Sequence, residues 1–98
     1  MERVNKVLII EDEKPIADLL KYGLEKEGFR AQAAYTGNDG LAAIESFNPN
    51  VILLDIMLPD IDVLSIWRKV TESKNIPIIM LTAKNDITDK PVSYTHLR

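Results

Sequence analysis

The 98-residue chain contains no cysteine, which excludes a disulfide framework, a thiolate metal site and a cysteine nucleophile. Its longest apolar stretches, among them Val7 to Ile10 and Val51 to Leu54, run four residues each, far short of the ~20 that a membrane helix needs. Nor does so short a run, beside the charged Glu2, Arg3 and Lys6, supply the ~7 to 15 residue apolar core of a signal peptide. The expected compartment is therefore the cytoplasm, without membrane contact. Basic charge is also in deficit, with 12 Lys and Arg against 15 Asp and Glu and a formal net charge of -3. Scattered lysines and arginines under that balance leave no electrostatic footprint for nucleic acid. Histidine is reduced to His96, in a C-terminal tail where a phosphocarrier role competes with the plainer reading of a stray residue.

What remains is 46% apolar residues, enough for one small core. Val4 to Ile10 is rich in β-branched residues and stops at Glu11-Asp12-Glu13, the pattern of a strand buried on both faces of a parallel sheet. Pro15 suits the first turn of a helix, Ile16, Leu19, Leu20 and Leu24 share helical spacing, and Gly28 is the expected stop. Phe29 to Tyr35 reads as a second strand, and Leu41, Ala42, Ile44 and Glu45 as a second helix ended by Asn48-Pro49-Asn50. Val51 to Leu54 is a third strand, Leu64, Trp67, Val70 and Thr71 mark a third helix, and Ile76 to Leu81 is a fourth strand. Pro77 stands at the start of that last strand, where its missing donor costs least. Strict strand-helix alternation predicts an α/β, doubly wound parallel sheet with right-handed crossovers. Ligands in such sheets bind beyond the carboxyl ends of the strands, where strand order reverses.

Those ends carry Glu11-Asp12, Asp55 and Thr82-Ala83. If the first, third and fourth strands are neighbours, three carboxylates and a hydroxyl converge. Two unit charges ~4 Å apart repel by ~4 kcal/mol at an effective dielectric of ~20, so such a cluster calls for a cation. Oxygen-only ligation favours Mg2+. Each residue has a plainer structural reading: helix N-terminal charge for Glu11 to Glu13, a solvated turn for Asp55, and a β-former finishing its strand for Thr82. The joint pattern is more specific than any member.

The segments Val7-Leu8-Ile9-Ile10-Glu11-Asp12-Glu13, Val51-Ile52-Leu53-Leu54-Asp55-Ile56-Met57-Leu58-Pro59-Asp60 and Pro77-Ile78-Ile79-Met80-Leu81-Thr82-Ala83 resemble the receiver domain of bacterial two-component response regulators. The resemblance implies a flavodoxin-like fold with strand order 2-1-3-4, and Asp55 as acceptor of a phosphoryl group from a histidine kinase. It further implies Mg2+ bound by Asp12 and Asp55, by Glu11 through water and by the Met57 backbone carbonyl. Thr82 would be the switch hydroxyl, and the small Ala83 leaves room for the phosphoryl group. The protein would be a signalling module rather than an enzyme. Related chains continue into a DNA-binding output domain serving transcription regulation, and the full-length protein could be a homodimer.

This sequence departs from the family in three ways. Lys90-Pro91 copies the lysine-proline pair of the family's fifth strand, but it falls eight residues after Thr82, too close for a helix, a strand and two loops, which need ~20. Residues 1–90 are therefore expected to form an incomplete receiver lacking the fifth strand and fifth helix, with 91–98 a foreign or disordered tail and Ile76 to Leu81 an open, aggregation-prone sheet edge. Val63 stands where a glycine is common, which is strained if that position needs a positive φ and tolerable if it only enters a helix. Two other functions stay open. An aspartate-nucleophile phosphatase would need a second acid two positions after Asp55, where Met57 stands; a non-switching interaction module would need none of these roles.

Overall fold

A computed structural model describes residues 5–81 and the backbone of 94–97. The chain runs β1 (Lys6–Ile10), α1 (Lys14–Lys26), β2 (Arg30–Ala34), α2 (Gly37–Phe47), β3 (Val51–Asp55), α3 (Val63–Ser73), β4 (Ile78–Leu81) and β5 (Tyr94–Leu97). Spatial strand order is β2-β1-β3-β4-β5. The first four strands are parallel in the expected 2-1-3-4 order. This is the flavodoxin-like, doubly wound arrangement.

Alternation along β1 explains the two layers of core. Leu8 and Ile10 point to one face, where they join Ala43 and Ile44 of α2, Ile66 and Val70 of α3, and Ile52, Leu54 and Ile78 from the neighbouring strands. Val7 and Ile9 point to the other, against Ala17, Leu20 and Leu24 of α1. A strand buried on both faces must be apolar throughout, and Leu8, Ile9 and Ile10 are each 0% exposed. The β1–β3 ladder is extended at its start by a side chain: Lys6 N–H donates to Asn50 Oδ1 at 2.7 Å, while Asn50 N–H donates to the Lys6 carbonyl at 2.8 Å.

Local chemistry sets the helix ends. Pro15 lies in the first turn of α1, where its missing N–H has no intrahelical partner to lose. Thr36 caps α2 by accepting from Asp39 N–H through Oγ1 at 3.0 Å, an interaction worth about 1 kcal/mol. Asn48 ends α2 in the left-handed region, at φ 55° and ψ 61°, which asparagine tolerates better than most residues. Pro49 then prevents continuation.

The helix faces match the spacing in part: Leu20 and Leu24 on α1, Ile44 on α2, and Trp67 and Val70 on α3 pack inward. Leu19 and Leu64, expected inward, are 69% and 52% exposed, and Ala42, Glu45 and Thr71 are exposed too. The buried stripes are Ala17 on α1, Gly40, Ala43 and Ile44 on α2, and Ile66 and Val70 on α3. Leucines at both i and i+1 leave the phase of a stripe ambiguous by ~100°, and only the sheet surface resolves it. Trp67, read as a core residue, packs half-buried against the core. Val63 opens α3, packs half-buried on the same core and has no positive φ. Valine is therefore unstrained there.

The sheet edge also departs from expectation. β4 was expected to be open, yet Tyr94–Leu97, within the segment read as tail, pairs antiparallel with it in the register Ile78↔Leu97 to Leu81↔Tyr94. An unpaired strand edge offers a row of free N–H and C=O groups, and here four residues of backbone occupy it. Thr82, Ala83, Lys90 and Pro91 lie outside the described residues.

Candidate functional site

Topology brings the acidic ends together. β1 continues into α1 on one face and β2 into α2 on the other, so strand order reverses between β1 and β3. Because Ile10 pairs with Leu54, the next residues along the two parallel strands, Glu11 and Asp55, stand side by side. Both are buried, at 3% and 1% exposure. Asp12 completes the group, and one ligand oxygen from each of the three carboxylates lies within 4.8 Å of the others.

Backbone donors orient two of the carboxylates. Glu11 Oε2 accepts from Glu13 N–H at 3.0 Å, and Asp55 Oδ1 accepts from Met57 N–H at 3.1 Å. The Met57 peptide is thereby held beside the Asp55 carboxylate while its side chain is 57% exposed. The plainer reading of the Glu11-Asp12-Glu13 run, as helix N-terminal charge, fits Glu13 at the N-cap of α1 but not Glu11. α1 has no acidic residue in its first turn and no side-chain cap from Glu13, and Glu11 turns into the cluster.

The donor set fits a small divalent cation. Asp12 Oδ1 is buried with no hydrogen-bond partner among the described residues, and a buried acceptor left so costs about 1 to 3 kcal/mol. A bound cation would satisfy it. Ligand oxygens in an octahedron of Mg2+ with bonds of ~2.1 Å lie about 3 to 4 Å apart. The present spread of up to 4.8 Å thus needs a contraction of up to ~2 Å between adjacent ligands, or one water between a carboxylate and the ion.

A sequence profile described as "Response regulator receiver domain" matches residues 7–95. The chain belongs to the response regulator receiver domain family. This receiver is similar to the response regulator TrrA of Thermotoga maritima, solved in complex with Mg2+ and BeF. Identity to it is 33%, coverage is 82% of this chain and 70% of that one, and the TM-score is 0.74. To the CheY-like receiver domain protein of Methanospirillum hungatei the identity is 31%, with 93% and 85% coverage and a TM-score of 0.77. Against the signal receiver domain of a LuxO-type repressor from Vibrio parahaemolyticus, identity is 27% and the TM-score 0.75. The receiver covers 62% of that chain's length.

Of the residues singled out in the sequence, Glu11, Asp12 and Asp55 meet in the receiver and Met57 adjoins them, whereas Thr82 lies outside the described residues. One residue of the site region carried no such signal. Asp60, in the loop after β3, reaches across to the start of α2, where Gly37 N–H donates to its Oδ1 at 2.8 Å and Asn38 N–H to its Oδ2 at 3.0 Å. The Asn38 side-chain amide donates a third bond at 3.1 Å. A Pro-Asp pair in a loop announces a turn, but nothing in its spacing says which helix the carboxylate caps.

The Gly37 and Asn38 N–H donors hold the Asp60 carboxyl below its ordinary value, because they favour the charged form. The clasp therefore contributes fully above the unfolded-state value of about 3.9 and is lost as pH falls through the lower, folded-state value. Urea unfolding between pH 6 and pH 3 should show the stability difference between the wild-type chain and Asp60→Asn shrinking as the solution becomes more acidic. A difference constant across that range would contradict the assignment.

Proposed function

We propose that this receiver accepts a phosphoryl group on Asp55 from the phosphohistidine of a partner histidine kinase, in the presence of Mg2+, as a cytoplasmic signalling step rather than turnover of a metabolite. The carrying observation is the convergence of Glu11, Asp12 and Asp55 at the point of strand reversal, with ligand oxygens within 4.8 Å. Support also comes from the Thermotoga maritima relative, whose structure contains Mg2+ and BeF.

In the transfer, an Asp55 carboxylate oxygen attacks phosphorus, a P–O bond forms as the P–N bond to the imidazole breaks, and the departing imidazole nitrogen takes up a proton. Little covalent assistance is needed, so positioning and charge neutralisation carry the catalysis. Asp55 Oδ1 is oriented by the Met57 N–H, and burial of Asp55 limits the water available to compete. Glu11, Asp12, Asp55 and the Met57 carbonyl would hold Mg2+. When bound, that ion neutralises negative charge on the carboxylates and the phosphoryl oxygens. Thr82 would bond a phosphoryl oxygen afterwards and bias an output surface. We assign that output to transcription regulation through a DNA-binding domain outside this chain, with homodimerisation of the full-length protein as its form.

Incubation with a small phosphodonor and Mg2+ should add one acid-stable, base-labile phosphoryl group, detected by intact mass, and chelation of the metal should prevent it. Equal uptake in excess chelator would remove Mg2+ from the proposal. No uptake under any metal would remove the acceptor role.

A further inference from the structure

We propose that Asp60 is a positioning residue for the cation site: by clasping the start of α2 it fixes the loop that presents the Met57 carbonyl. This rests on the reading of Glu11, Asp12, Asp55 and Met57 as cation ligands, and adds to it a residue that touches no ligand.

β3 ends at Asp55 and α3 begins at Val63, so seven residues, 56–62, form the loop. Its near end is fixed by Ile56 N–H donating to the Leu81 carbonyl at 3.4 Å and by Met57 N–H on Asp55 Oδ1 at 3.1 Å. The Met57 side chain is largely exposed. Placement of the Met57 carbonyl therefore depends on what holds its neighbours. Toward the far end only Leu58 and Pro59 separate Met57 from Asp60. Leu58 packs against the core, and Pro59 has a ring-locked φ. A displacement at Asp60 has little slack in which to dissipate.

Asp60 itself is held by three N–H donors from Gly37 and Asn38, and bonds to an ionised acceptor are about twice as strong as neutral ones. Ile61 reinforces the contact. It lies so close to Gly37 that a Cβ there would overlap its Cγ2 and approach Asp60 Oδ1 to 3.1 Å, so the glycine is required for the approach of the loop. α2 has a local cap in Thr36, which serves Asp39 N–H. Asp60 serves the two preceding N–H groups from 22 and 23 residues away. The clasp therefore links two elements, and the linked element carries the ligand.

The test is calorimetric titration of the whole 98-residue chain with MgCl2, at a temperature where circular dichroism shows every variant folded. Asp60→Ala should raise the Mg2+ Kd about tenfold, the lower end of what loss of an outer-shell partner costs a metal site. Asp60→Glu keeps the charge but is one methylene too long for the same loop position, and it should raise Kd comparably. Asp60→Asn keeps one acceptor oxygen and should fall between Ala and wild type. Thr36→Ala weakens the same helix without touching the loop and should leave Kd within about twofold. Wild-type affinity in both Asp60→Ala and Asp60→Glu would overturn the positioning role while leaving the cation site standing. A Thr36→Ala effect as large as that of Asp60→Ala would also overturn it, since helix stability alone would then account for the loss. Absence of Mg2+ binding in the wild-type chain would overturn the cation reading and, with it, this inference.

Discussion

Asp55→Asn should reduce phosphoryl uptake from a small phosphodonor to background and at the same time make the metal-free protein more stable. The first effect follows from chemistry: an amide oxygen is not a nucleophile of carboxylate strength. The second follows from charge. Three carboxylates whose oxygens lie within 4.8 Å repel one another, and at an effective dielectric of ~20 each close pair costs ~3 to 4 kcal/mol before relaxation and solvent screening. Neutralising one member while keeping its shape should return about 1 to 3 kcal/mol after those reductions. The retained amide oxygen still accepts from Met57 N–H, as Asp55 Oδ1 does at 3.1 Å. Thermal or urea unfolding in chelator, compared with the same measurement in excess Mg2+, checks both parts. The gain should shrink or reverse with the metal present, because binding stabilises only the chain that keeps its ligands. Loss of uptake accompanied by a lower metal-free stability would indicate a damaged fold instead of a missing nucleophile.

Leu54→Ala should destabilise the chain by about 2 to 5 kcal/mol, enough to consume much of the ~5 to 15 kcal/mol that holds a domain of this size together. Leu54 is 0% exposed, pairs with Ile10 on one side and Met80 on the other, and sits in the core layer built by α2 and α3. Its neighbours belong to several elements, so the cavity left by the alanine has no single flexible segment to fill it. The midpoint of thermal unfolding should fall by roughly 10 to 30 °C, with the urea m-value unchanged if the transition stays two-state. Leu19→Ala provides the contrast. Leu19 is 69% exposed, and a substitution there should change stability by no more than about 0.5 kcal/mol. Two leucines that the sequence presents alike thus differ in expected effect by several-fold, and the unfolding curves of the pair measure that difference directly.

The legibility of this protein in its sequence followed a physical division. Runs such as Val7 to Ile10 and Val51 to Leu54 can satisfy their apolar content only in a sheet covered on both faces, so the first four strands and their parallel arrangement were readable, while the order around β1 came only as what the resemblance to receiver domains implied. The acidic residues at the strand ends were readable for the same reason, because a carboxylate directly after such a run marks where the covered part of the sheet stops. Glu11 and Asp55 meet because Ile10 and Leu54 are in register, and that register is set by the tertiary structure. Helix phase was harder. Leu19-Leu20 offers two adjacent apolar residues, and helical spacing alone cannot say which of them faces the sheet.

The sequence by itself determined the first four strands, the three helices and the parallel sheet, since these follow from burial and local backbone preference, and it marked Glu11, Asp12 and Asp55 as the carboxylates at the strand ends. Only the tertiary structure decided which leucines are buried, that Tyr94–Leu97 occupies the edge of β4, that Val63 is unstrained, and that Asp60 caps α2 from another element. The reason is range. A strand or a helix end is specified by residues a few positions apart, whereas the clasp joins residues 22 and 23 positions apart, and contacts of that kind exist only after the intervening chain has folded.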